Sequence, residues 1–306
     1  MSAPVPTTAP ILLFGASTPS GAALTELAAG RDLWVIGRRC PAGQPRQRFI
    51  ACDLSDPELP ALPPGALILS FAPLWHLAPF LATWLRAADR GEAADQRPVG
   101  VVACSSSSVV SKRFAANAAD QALVRRLLDA EATLAEACRA AAIPCHIVRP
   151  TLIYGAAGGY GDRNLSVLLR LMRRLPLLPI PARTGLRQPI HARQLAAAVL
   201  RLADQPDPQA TPLNLGGDDT LSYAAMLRRL RQRVLELDPD DPAGRCRLVP
   251  LPLPLFHLLA APLLPVRPKL FEAVLRIEAD LAGFTPAHRL LGGAPQPFPL
   301  QPLAQR

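Results

Sequence analysis

The sequence predicts an α/β fold, a doubly wound parallel sheet with a smaller C-terminal lobe. Three observations carry that expectation. Short apolar runs alternate with helical stretches as far as Pro150, the first two runs each close on a glycine, and the rhythm changes after Pro150.

Ile11–Phe14 reads as the first strand, Ala22–Ala29 as a helix and Leu33–Ile36 as the second strand, a βαβ unit. The pattern continues with Ala66–Phe71 (strand), Pro79–Ala88 (helix), Val99–Cys104 (strand), Gln121–Ala142 (long helix) and Cys145–Val148 (strand). Residues 1–150 thus form one expected domain. Residues 151–306 supply a second lobe, with strand exchange back into the sheet allowed. There, Leu165–Leu175, Gln194–Ala203 and the Arg-rich Tyr223–Leu237 read as helices, and Pro212–Leu215 as a short strand. The run Leu248–Val266 is as long as a membrane span, but Pro250, Pro252, Pro254, Pro262 and Pro265 would break a spanning helix. It reads as a buried wall of the C-terminal lobe, with peripheral membrane contact as the less favoured alternative.

The 306 residues carry 33 basic and 24 acidic side chains, a net charge of +9. The bases are almost all arginine, and Lys112 and Lys269 are the only lysines. They lie scattered, without the clustered face that nucleic acid requires. Six cysteines show no C-x-x-C pair and no ligand spacing with histidine, so no metal is expected, and thiols in apolar runs point to a reducing compartment. The N-terminus has no positive region ahead of its apolar run. The expected location is cytoplasmic.

The segment Gly15-Ala-Ser17-Thr18-Pro-Ser-Gly21 lies where strand one turns into helix one. There glycine lets the backbone approach a pyrophosphate, and the helix start offers N–H groups. Gly15 and Gly21 remain of the three-glycine pattern, with Thr18 in the middle place. This is the signature of a Rossmann-type dinucleotide site. Strand two ends in Gly37-Arg38-Arg39 instead of the acidic residue that holds an NAD ribose. Two guanidiniums suit a 2′-phosphate, so NADP(H) is preferred and NAD(H) remains possible, unless the pair is simply solvated. Asp53 and Leu54 fit the adenine side, although Asp53 is equally read as a helix cap. Phe71 and Ala72, at the end of the Ala66–Phe71 strand, edge the cofactor cleft. Trp75 and His76 follow and would meet substrate, or the aromatic caps the core.

Together these pieces resemble the extended short-chain dehydrogenase/reductase superfamily, in its NAD-dependent epimerase/dehydratase-like branch. Val101–Val109 resembles the strand that ends in the family's catalytic serine, with Ser106 in that place. Arg149-Pro150-Thr-Leu-Ile-Tyr154-Gly155 is similar to the family segment beside the nicotinamide, which places Pro150 against the cofactor. Gly185–His191 with Gln194–Ala198, Leu213–Gly217 and the terminal Leu291–Phe298 resemble later family landmarks.

One departure counts against ordinary family chemistry. Setting the family's Glu on Glu131 puts Leu127 at the lysine place and Leu123 at the tyrosine place, and neither transfers a proton. Hydride transfer at a carbinol needs an acid or base, and a serine hydroxyl alone is a poor one. The candidates are Lys112, otherwise an exposed loop charge, and Tyr154, otherwise packed on the sheet. For substrate, Gly159–Asn164 reads as a gripping loop or a plain turn. Arg163 or Arg187 would hold an anionic group. His191 is catalytic or, more simply, a hydrogen-bonded structural histidine.

The preferred function is an NAD(P)-dependent oxidoreductase or epimerase-like enzyme on a hydroxyl- or keto-bearing small molecule such as a nucleotide sugar. Its proton-transfer group would be non-standard. The alternative is a non-catalytic NADP(H)-binding redox sensor or assembly factor. Oligomeric state is left open.

Overall fold

The structure, a computed structural model, describes residues 8–56, 58, 60–92, 94–113, 117–205, 211–262, 274, 276–301 and 303. Its centre is an eight-stranded sheet: β1 (Ile11–Phe14), β2 (Leu33–Gly37), β3 (Phe49–Ala51), β4 (Leu67–Ser70), β5 (Gly100–Cys104), β6 (Cys145–Pro150), β7 (Leu213–Gly216) and β8 (Thr285–Pro286). They lie in the order β8-β7-β6-β5-β4-β1-β2-β3, every pair parallel. Ile11 of β1 sits opposite both Leu33 and Leu67. Connections leave β1 in opposite directions, and ligands of such sheets bind in the crevice that this reversal opens at the strands' carboxyl ends.

A parallel sheet is covered on both faces, so its strands are apolar throughout. Every residue of β1, β4 and β5 is buried. Alternate residues part to the two faces. Leu13, Leu69 and Val102 pack with helices α1 (Pro19–Leu27) and α6 (Ala192–Ala203). Leu12, Phe14, Ile68 and Val101 pack with α2 (Leu74–Asp89) and α4 (Ala118–Ala140), which follows the short α3 (Ser108–Ser111). The strands β7 and β8 come from the C-terminal half, so that half completes the sheet.

Helix boundaries depart from expectation for local reasons. α1 starts at Pro19 because Thr18 caps it, its hydroxyl accepting from Gly21 N–H at 3.0 Å, with proline in the first turn. α2 begins at Leu74, not Pro79, and carries Pro79 inside it. Leu74, Leu77, Ala78, Leu81, Trp84 and Leu85 form a buried stripe at helical spacing, and their burial outweighs the proline's cost. α4 starts three residues before the expected Gln121, because Asn117 accepts from Asp120 N–H at 2.7 Å. It stops before Ala142, which has φ +53°.

A separate core holds the C-terminal lobe. α5 (Leu165–Arg174) and α7 (Tyr223–Leu237) bring in Leu169, Met172, Met226, Leu227 and Leu230. Beside them, Arg247–Leu251 pairs in parallel with Leu177–Pro181. The apolar run from Leu248 therefore divides into this strand and helix α8 (Leu253–Ala260). It is not a uniformly buried wall: α8 buries Phe256 and Ala260 but leaves Leu258 and Leu259 at 68% and 58% exposure. Residues 263–266 of the run lie outside the described residues. No helix among the described residues is long and apolar enough to cross a membrane.

Candidate functional site

Two cavities open along the carboxyl ends of the sheet strands. The first, about 890 Å³, follows β1, β2 and β4, and its wall includes Gly15, Ser17, Thr18, Arg38, Arg39, Asp53, Leu54, Phe71, Ala72 and His76. Thr18 gives its own hydroxyl proton to Gly15 C=O at 2.8 Å, so the middle glycine of the pattern is replaced by a side chain that ties the turn. Gly15, at φ +80°, has no room for a Cβ, which would stand 2.6 Å from Ala72 N. At Gly21, behind the turn, a Cβ would stand 2.2 Å from Gly15 C=O. Both glycines are thus demanded by backbone approach.

Arg38 and Arg39 are exposed on this cavity, and neither guanidinium makes a hydrogen bond or ion pair among the described residues. Asp53 accepts from Ser55 N–H at 3.0 Å, in a turn and not at a helix start. That bond and the nearby Arg38 charge hold its carboxyl below the usual range.

The second cavity, about 790 Å³, begins where β5 and β6 end. One wall is the segment Ser105–Ser108 with Ser111 and Lys112, and Pro150 closes beside it. Ser106 Oγ donates to Ser108 Oγ at 3.0 Å and accepts from Ser108 N–H at 3.1 Å. Lys112 Nζ donates to Asp120 Oδ1 at 2.6 Å, and Arg276 pairs with the other oxygen of the same carboxylate. Burial would raise the Asp120 carboxyl, but the bonds from Lys112 and Arg276 outweigh it and hold the pKa low. Cys104, just ahead of the serines, is no rival nucleophile, since burial pushes its thiol up to about 12.

Several predicted residues fall elsewhere. Tyr154 lines neither cavity. It is 1% exposed, ring-packed on His191 and Phe298 at 5.1 and 5.0 Å, and its hydroxyl accepts from Leu300 N–H at 2.9 Å. His191 caps α6, accepting from Arg193 N–H at 3.2 Å. Arg163 is exposed and lines neither cavity. Trp75 packs on the α2 core under Arg126, whose guanidinium stands 4.6 Å from its ring centre, whereas His76 reaches the first cavity, not the second. Arg187 reaches the second cavity but is 6% exposed and donates to the carbonyls of Leu186, Ala279 and Arg276 at 2.6–2.7 Å.

Leu123 and Leu127 on α4 line neither cavity, and Leu127 is buried. The aligned Glu131 is instead a fastening. Arg149 of β6 grips it with both nitrogens, one bond at 2.9 Å, and Ser105 donates to the same carboxylate.

Two tyrosines were missed by sequence reasoning. Tyr160 lies on the short hairpin Ala156–Ala157/Tyr160–Gly161, which sits over α1, and it lines the first cavity. The glycine loop read as a substrate grip thus reaches the first cavity through Tyr160 and the second through Asn164. Its reason is Gly158, whose missing side chain lets it rest on Ala22. Tyr223 lines the second cavity, with Arg187 stacked 5.4 Å from its ring centre. Burial pushes its phenol up to about 12 against the pull of Arg187, so near neutral pH it is a hydrogen-bond donor. Its hydroxyl has no partner among the described residues. Only its place at the head of an Arg-rich helix marked it, and that pattern signals no site.

Asp162 holds the hairpin in place: its buried carboxylate accepts from the N–H groups of Gly155, Asn164 and Leu165 at 2.6–3.2 Å. Gly155 has φ +98°, and a Cβ there would stand 2.3 Å from His191 Nε2. Gly155→Ala should cost about 2 kcal/mol of stability, from left-handed strain together with that overlap. Urea unfolding checks it; an unchanged midpoint would mean the histidine yields freely.

No protein-family model matches this chain, and no curated protein matches its sequence. Solved structures do share its fold. MoeE5 in complex with UDP-glucose and NAD is 19% identical, with 94% of each chain covered and a TM-score of 0.57. A UDP-galactose 4-epimerase is 17% identical over 79% of this chain and 86% of its own, TM-score 0.56. The UDP-N-acetylglucosamine 4-epimerase from Bacillus cereus is 13% identical over 79% and 88%, TM-score 0.56.

Proposed function

We propose, starting from the fold shared with MoeE5 and these epimerases, that this chain is an NAD(P)-dependent oxidoreductase or epimerase-like enzyme acting on a hydroxyl- or keto-bearing molecule, with NADP(H) favoured. The observation that carries the reading is the pair of cavities on one sheet edge. One holds the phosphate turn and two unengaged arginines, and the other starts at Ser106 and Pro150. A dinucleotide laid across the reversal between β1 and β4 would set its adenosine end in the first and its reactive ring toward the second.

The residues present fit that cofactor. Gly15, Ser17 and Thr18 would meet the pyrophosphate, Arg38 and Arg39 a 2′-phosphate, and Tyr160, Leu54 and Phe71 would wall the nucleotide. When bound, the nicotinamide would supply hydride exchange. Ser106 would turn its hydroxyl from Ser108 to the substrate oxygen. Lys112, held in place by Asp120, is the nearest replacement for the absent acid, because an ammonium keeps two further donors after one bond. Tyr154 takes no part.

The test is oxidation of bound NADPH by a panel of ketones, aldehydes and keto-sugars. Turnover is expected with at least one class, and Ser106→Ala should lower it about tenfold, the worth of one hydrogen bond at the reacting oxygen. Tight NADPH binding with no turnover across the panel would favour instead a cofactor-binding protein without catalysis, the reading to which Leu123 and Leu127 lend support.

A further inference from the structure

We infer that the second cavity takes an elongated apolar substrate with a single hydroxyl or keto head, and not a nucleotide-linked sugar. This rests on the oxidoreductase reading and gives it a substrate class. Half of the polar side chains that line the cavity come from one short segment, residues 105–112, and the others are Thr151, Asn164, Arg187, Gln188, Tyr223 and Arg276. The facing walls are apolar: Leu168 and Leu171 of α5, Ile180 beside them, Phe256 and Leu259 of α8, and Phe284.

A diphosphate takes paired guanidinium forks, and both arginines of this wall already have donors committed elsewhere. Arg187 is held by three backbone carbonyls. Lys112 and Arg276 share the one carboxylate of Asp120. Gln188 gives its amide N–H groups to Gly217 and Phe284 carbonyls and its oxygen to Phe284 N–H. Among the described residues, then, nothing in this wall can offer the paired forks that a diphosphate takes from arginine. Placing two phosphate charges against leucine and phenylalanine would be strongly opposed by desolvation. The contrast with Arg38 and Arg39 in the first cavity is direct, since those guanidiniums are exposed and make no hydrogen bond or ion pair among the described residues. One oxygen, by comparison, needs a single donor, and Ser106, Lys112 with its remaining N–H groups and the unpartnered hydroxyl of Tyr223 all line the cavity.

The experiment uses the full chain free of nucleotide, with neutral N-phenyl-1-naphthylamine as a fluorescent probe. The probe should bind and be displaced by 2-butanone, 2-octanone and 2-dodecanone with affinity rising about fourfold per added methylene. UDP and UDP-glucose should not displace it at millimolar concentration. Leu171→Glu and Leu259→Glu replace exposed positions, so both variants should keep the wild-type unfolding midpoint while weakening 2-dodecanone at least tenfold. Displacement by UDP-glucose, affinity independent of chain length, or ketone binding unchanged in both variants would overturn the inference. NADPH titration without ketone is read separately. A protein that binds the ketones but no NADPH would refute the oxidoreductase reading alone, and one that binds NADPH but prefers UDP-glucose would refute the apolar class alone.

Discussion

Arg38→Ala combined with Arg39→Ala should weaken NADPH binding by about 100-fold while changing NADH binding less than about threefold. The two side chains follow β2, where the adenine ribose of a bound dinucleotide would lie, and both are exposed on the cavity without a hydrogen-bonding partner. A charge-assisted bond contributes roughly 1.5–3 kcal/mol, and exposure places each arginine at the low end, so the pair should supply about 3 kcal/mol. NADH lacks the phosphate and would lose almost none of this. The selectivity should also shrink with added salt, because exposed charges are screened. Fluorescence titration of both nucleotides at two ionic strengths checks it. Equal losses for NADPH and NADH would remove the assignment of these residues to a 2′-phosphate.

Glu131→Gln should destabilise the fold by about 3 kcal/mol. The carboxylate is 5% exposed and joins α4 to β6 through Arg149 and to the end of β5 through Ser105. Removing its charge leaves a nearly buried guanidinium uncompensated, and breaking such a pair costs more than the pair itself is worth. The double variant Glu131→Gln, Arg149→Met should therefore recover much of the loss. Denaturant unfolding of the two singles and the double closes the cycle. A single variant as stable as the wild type would show that the bond holds nothing.

The parts legible in the sequence were those built from neighbouring residues. The Gly15–Gly21 turn, the arginines after β2, the serines after β5 and the apolar strands all lie in contiguous stretches whose chemistry is local. Tyr154 was misleading because its motif suggests a place beside the cavities, while its orientation is decided by His191 and Phe298, far off in the chain. Arg187 looked like an anion grip until its three backbone acceptors were in view. Tyr223 and Tyr160 reach their cavities through long-range packing that no spacing rule encodes. The start of α2 escaped for a different reason: Pro79 suits a helix's first turn, and here a stripe of buried side chains carries the helix back to Leu74.

The stretch from Ile153 to Asn164 has one further consequence. Its ends border the second cavity while its tip, Tyr160, borders the first; Asp162 ties Gly155 to Asn164, and the pairing of Ala157 with Tyr160 carries the strap on to the tip. The two chambers thus share a beam. Any free energy a guest in one chamber spends on displacing that beam must reappear, equal in size, in the affinity of the guest next door.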